Sequence, residues 1–233
     1  MSLDKKIKRD RFIKTCSLTG LFLPLVSCSS VEKTETGTAT KFRLLDHPRH
    51  QRDFGDVRSK KIIFLCNCIL NMNARMHRCA RFFPAANKPI LQFCLDNDLG
   101  MAQMPCPELL VTGLGRDRDE PEVEYLRTAL EMPVSRERIR RLAEQVVFEM
   151  KEYRFQGFRM IAVLGNDGSP TCGVERTAFP DPENRFGPGR GVFIQELQSL
   201  MKHAGIEVPF KGVDDDKAEE TVTWLKEIME QKD

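Results

Sequence analysis

The sequence predicts an α/β fold: one Rossmann-like three-layer domain with a mostly parallel sheet of about four strands. Two observations carry this. Short continuous apolar runs, the mark of strands covered on both faces, alternate with stretches whose apolar residues recur at intervals of three and four. Proline and glycine stand at the junctions, where strands and helices stop. The chain has 233 residues, 41% hydrophobic and 30% charged, which suits a single packed core with a tail.

The elements follow in order. Ile62-Ile-Phe-Leu-Cys66 reads as a strand buried on both faces. Pro89 opens a helix with Ile90, Leu91 and Cys94 on one side, ending near Gly100. Met101 to Met104 is a second strand, stopped by Pro105 and Pro107. Ser135, just after Pro133, is expected to cap a long helix. Its stripe is Ile139, Leu142, Ala143, Val146, Val147, Met150 and Tyr153, and Gly157 terminates it. Phe158 to Leu164 forms a third strand. Ile194, Leu197, Leu200 and Met201 mark a helix closed by Gly205, and Val208 to Lys211 reads as an edge strand, where Pro209 is tolerated. Ala218, Val222, Leu225 and Ile228 line a last helix. In a parallel sheet of this kind ligands gather beyond the carboxyl ends of the strands.

Ahead of this domain, residues 1–28 read as a signal peptide. A basic start is followed by the apolar Leu18 to Val26 and then by Leu25-Val-Ser-Cys28, which resembles a bacterial lipobox with Cys28 as the lipidated residue. The apolar stretch is too short to span a bilayer of about 30 Å. Arg9-Asp-Arg-Phe-Ile-Lys14 resembles a twin-arginine export motif with Asp10 where the second arginine belongs. Residues 29–59 form a polar tether, and the α/β domain occupies 60–233. The expectation is therefore an exported, membrane-anchored lipoprotein held only through Cys28. An amphipathic N-terminal helix packed on a cytoplasmic domain is the alternative.

The net charge of +2 comes from the leader: residues 1–27 hold six basic side chains against two acids, leaving 30 basic and 32 acidic residues in the rest. That balance excludes a nucleic-acid partner that depends on phosphate neutralisation.

Eight cysteines are too few for a disulfide scaffold, and a packed core thiol is the ordinary reading of any one. Three of them share a position, however. Cys68 lies just past the first strand, Cys106 past the second and Cys172 past the third, so their thiols can converge at one sheet edge. Soft thiolates suit zinc or an iron–sulfur cluster. Structural zinc normally takes four ligands, often from paired C-x-x-C knuckles, and the chain has no such pair. Three thiols without a fourth ligand suggest a cubane with one open iron, with inert packing as the other reading.

The short motifs around these cysteines are Cys68-Ile-Leu-Asn71, Cys106-Pro-Glu108, Ser169-Pro-Thr-Cys-Gly173 and Gly189-Arg-Gly-Val192. In order and context they resemble the 2-thiouracil desulfidase family and its relatives, above all its desulfidase-like branch, over roughly residues 61–213. Asn71 stands where that family has glycine, and Cys66 adds a thiol. The resemblance implies a [4Fe–4S] cluster on Cys68, Cys106 and Cys172, whose open iron takes the sulfur of a thiolated small molecule such as a thiouracil-like thiocarbonyl. It also implies Glu108 as proton donor or water-positioning group, and Ser169 as a hydrogen-bonding partner of the substrate. The ordinary roles are a helix cap for Glu108 and a turn for Ser169. Arg190, in the glycine-rich loop before a helix, is a candidate for a substrate carboxylate or phosphate. His77 is a candidate to line the site. Cys66 and Cys94 read as core, and Asp214-Asp-Asp216 as a solvated helix start. A cluster or sulfur carrier without turnover, or an exported lipoprotein with disulfides, are the competing classes.

Overall fold

A computed structural model describes residues 56–76, 79–114, 123–181, 183 and 185–231, with 123–125 described by their backbone. All belong to the compact unit Phe54–Asp233. The export segment with Cys28, the tether up to residue 55 and His77 lie outside the described residues.

The domain is a three-layer α/β fold around a four-stranded, all-parallel sheet ordered β2-β1-β3-β6. Strand β1 is Lys61–Cys66, followed by the single turn α1 (Asn67–Leu70), then α2 (Lys88–Asp96) and β2 (Gly100–Met104). Helices α3 (Pro107–Thr112), α4 (Val123–Glu131) and α5 (Pro133–Phe155) lead to β3 (Arg159–Asn166). The hairpin β4 (Arg176–Ala178) and β5 (Phe186–Pro188) precedes α6 (Val192–His203), β6 (Phe210–Val213) and α7 (Ala218–Glu230).

The chain steps from β1 outward to β2, then back across β1 to β3. Right-handed crossovers therefore place α2 and α5 on opposite faces. Helix α7 packs on α2, and α6 on α5. Ile63, Phe64 and Leu65 of β1 and Ala162, Val163 and Leu164 of β3 are fully buried, as strands covered on both faces require. Tyr153 of α5 meets Phe64 edge-on, with ring centroids 6.2 Å apart. Between Ile62 and Phe64 the register shifts, because β3 carries one residue more than β1 over that stretch.

The helix ends follow local chemistry. At the end of α5, Gly157 takes φ +76°, its N–H donates to Arg154 and that of Phe158 to Tyr153, while the Tyr153 and Phe158 rings close over the turn. The start of α5 differs from the expected Ser135 cap. Met132 occupies the cap position without a side-chain bond, Pro133 begins the helix and Ser135 is buried in its first turn. Proline needs no partner for a missing N–H and presets the helical φ, so the helix starts three residues earlier. The edge strand β6 is likewise Phe210–Val213 rather than 208–211, because Pro209 lacks an N–H and contributes only its carbonyl, to Val163.

Candidate functional site

The strand order reverses between β1 and β3, so a crevice opens beyond their carboxyl ends. A cavity of about 460 Å³ lies there, and Cys66, Cys68, Cys106 and Cys172 all line it. Each thiol is placed by a different local device.

Cys68 rides on α1, the turn that ends β1, and its Sγ lies 3.6 Å from that of Cys66. Cys106 is the N-cap of α3, where its Sγ accepts the Leu109 N–H at 3.5 Å. Cys172 sits on the loop after β3. That loop folds back until the Asn166 N–H donates to the Cys172 carbonyl at 2.9 Å. Only glycine permits the approach. A Cβ at Gly165 would lie 2.2 Å from the Cys172 carbonyl oxygen, and one at Gly191 the same distance from the Thr171 carbonyl group. Asp167 fastens the far side of the loop, its Oδ1 accepting from the N–H groups of Val174, Glu175 and Arg176. The buried Arg127 of α4 holds it from below, donating to the Pro170 carbonyl at 3.1 Å and the Thr177 hydroxyl at 3.2 Å.

Glu108, in the first turn of α3, is buried and reaches this loop. Its Oε1 accepts from the Thr171 hydroxyl at 2.7 Å and the Ser169 hydroxyl at 3.0 Å. Ser169 Oγ in turn accepts the Cys172 N–H at 3.0 Å, and the Thr171 hydroxyl lies 3.6 Å from Cys172 Sγ. A carboxylate, two hydroxyls and a thiol thus form one connected network against the cavity.

The thiols differ in acidity. Hydrogen bonds with Cys172 and Cys68, together with burial, push Cys66 well up. That bond from Cys66, and then the Arg75 charge, lower Cys68 against its burial. Burial, with the charges of Cys172 and Glu108 adding to it, raises Cys106 to about 12. The shifts thus run in opposite directions, favouring the thiolate at Cys68 and the neutral thiol at Cys66 and Cys106.

Arg75 comes from the loop after α1. It pairs with Asp215 and donates to Asn166 Oδ1 at 2.7 Å, with its side chain 9% and that of Asp215 6% exposed. Asn87, the N-cap of α2, also donates to Asp215. The acidic triplet opens a single 3-10 turn, Asp215–Lys217, with Asp216 exposed as a solvated helix start requires, but the Asp215 side chain is buried. Asp215 is a buried counter-ion, because an arginine fixed beside a thiol needs one, and Asp214 and Asp216 line the cavity.

The cavity brings together Cys68, Cys106, Cys172, Glu108 and Ser169, and Cys66 joins them. Arg190 is exposed and does not line it; its carbonyl accepts from Arg127 and Gln195. The N–H groups of Val192 and Phe193 at the start of α6 donate to the Pro170 and Thr171 carbonyls, so this glycine-rich segment seats the Cys172 loop. Cys94 is core, as expected. Arg75 and Thr171 carried no signal of their own in the sequence.

Among the described residues, no group of three or more His, Cys, Asp or Glu side chains closes round a single metal ion. A cubane bears its irons at separate corners, so its cysteines stand wider apart than ligands of one ion. Soft thiols from three strand ends around one cavity fit such a cluster in donor chemistry. None of the six described cysteines is joined in a disulfide, and no described helix is long and apolar enough to cross a membrane.

No family model matches the chain, and no solved structure matches it. It is similar to an uncharacterized protein of Methanocaldococcus jannaschii, 29% identical over 118 residues that make up 51% of this chain and 70% of the relative.

Proposed function

We propose that this protein is a desulfidase that removes sulfur from a thiolated small molecule, using a [4Fe–4S] cluster held by Cys68, Cys106 and Cys172. The observation that carries the reading is the buried carboxylate of Glu108, joined through Ser169 and Thr171 to the Cys172 loop, in a cavity that three strand-end thiols share. A cluster bound by three cysteines supplies an open iron with affinity for sulfur.

The chain's own residues do the rest. Glu108 holds or delivers the proton that replacement of sulfur by water requires, from a buried position in the cavity lining. Ser169 and Thr171 orient the carboxylate. Phe82 and Phe186, half-exposed at 55% and 49%, flank the cavity and offer apolar faces to a planar ring. In anaerobically reconstituted protein, Glu108→Ala should reduce release of sulfide from 2-thiouracil or a related thiocarbonyl by about 10²–10⁴-fold with iron content unchanged. Full activity in that variant would remove Glu108 from the reaction. An iron-loaded wild type inactive on a panel of thiocarbonyls would favour a carrier of cluster or sulfide.

A further inference from the structure

The guanidinium of Arg75 is buried in the lining of the cavity that Cys68 also lines, and among the described residues its Nε–H has no hydrogen-bond partner. A buried donor left unpaired on a charged group is costly, so it calls for an acceptor. The planar fork of arginine says where that acceptor lies. Nη1 and Nη2 both face Asp215, which takes the outer edge of the group. The remaining Nη2 proton, on the same edge as Nε, goes to Asn166 at the end of β3. The Nε–H therefore shares the guanidinium edge that faces Asn166 at the end of β3, and Arg75 lines the cavity where the thiols gather.

We infer that Arg75 is a positioning residue whose Nε–H donates to the sulfur of Cys68 when that sulfur is a cluster ligand. Asp215, Asn166 and Asn87 hold the guanidinium in place for this single bond. A hydrogen bond from a cation to a ligand sulfur stabilises the more negative, reduced cluster and so raises its potential. The inference rests on the cluster reading above and adds to it the residue that tunes the cluster.

Two measurements test it. Wild-type protein grown with arginine labelled with ¹⁵N at Nε, then reconstituted and reduced, should show a ¹⁵N hyperfine coupling in pulsed electron paramagnetic resonance; its absence overturns the inference. Arg75→Lys keeps a cation for Asp215 but loses the fork. It should retain iron and shift the reduction equilibrium at least tenfold toward the oxidised cluster, 59 mV for a one-electron couple. An unchanged potential also overturns the inference. Should Arg75→Lys fail to fold, the labelled wild type still decides. A wild type that takes up no iron overturns the cluster reading and this inference together, whereas a wild-type cluster without the coupling removes this inference alone.

Discussion

Glu108 and Phe186 show how single residues divide the work at this site. Glu108 is fixed by two hydroxyls from the Cys172 loop, so its replacement tests the proton-handling role proposed for it. Phe186 acts differently. It stands over Gly168, where an added Cβ would lie 3.6 Å from its ring, and it touches neither Glu108 nor a thiol by any bond described above. Phe186→Ala should raise KM for a planar thiocarbonyl about tenfold, the value of one stacking contact, with kcat and iron content unchanged. A fall in kcat instead would place the ring in the chemical step. Both residues sit in segments whose sequence shows composition and turns. The cysteine spacing and the Cys106-Pro-Glu108 motif pointed to Glu108, but nothing local marked Phe186, which only the β4–β5 hairpin brings to the cavity.

At the scale of elements, the site depends on how the loop after β3 is seated. The N-terminus of α6, Arg127 of α4, and Gly165 and Gly191 all converge on residues 170–172. Gly191→Ala would set a Cβ 2.2 Å from the Thr171 backbone, which must move. We expect a loss of about 1–3 kcal/mol of stability by denaturant unfolding, together with reduced iron uptake. A variant as stable and as well loaded as wild type would mean that the loop is free to shift. The strands and the long helices were legible in the sequence, because buried parallel strands and a seven-residue apolar stripe leave strong periodicity. Helix α4 and the β4–β5 hairpin were not, since two buried leucines in α4 and strands of three residues are too short to show a period. The Ser135 cap was displaced by Pro133, a local competition that residue preferences alone leave undecided.

At the scale of the whole molecule, the core contains a titratable group remote from the cavity lining. Burial raises the Cys94 thiol to about 12. The folded state thus favours the neutral thiol more than the unfolded chain does. That stability is fully present below the ordinary thiol value near 9 and is lost as pH rises toward 12. Thermal unfolding at increasing pH should show Tm falling across that window, and Cys94→Ala should flatten the fall; an identical slope would assign the alkaline loss to other groups. The convergence of Cys68, Cys106 and Cys172 was legible because each follows a recognisable strand. The buried pair of Arg75 and Asp215 was not, because its partners are 140 residues apart and only the folded sheet joins them.

The three thiols Cys68, Cys106 and Cys172 are proposed to hold one cluster. Iron and acid-labile sulfide should be quantified in anaerobically reconstituted wild type and in Cys106→Ser. Wild type should carry close to four irons and four sulfides per chain, a [4Fe–4S] stoichiometry, and the variant should lose most of both. Well under one iron per wild-type chain, or a variant that loads as fully as wild type, would contradict it.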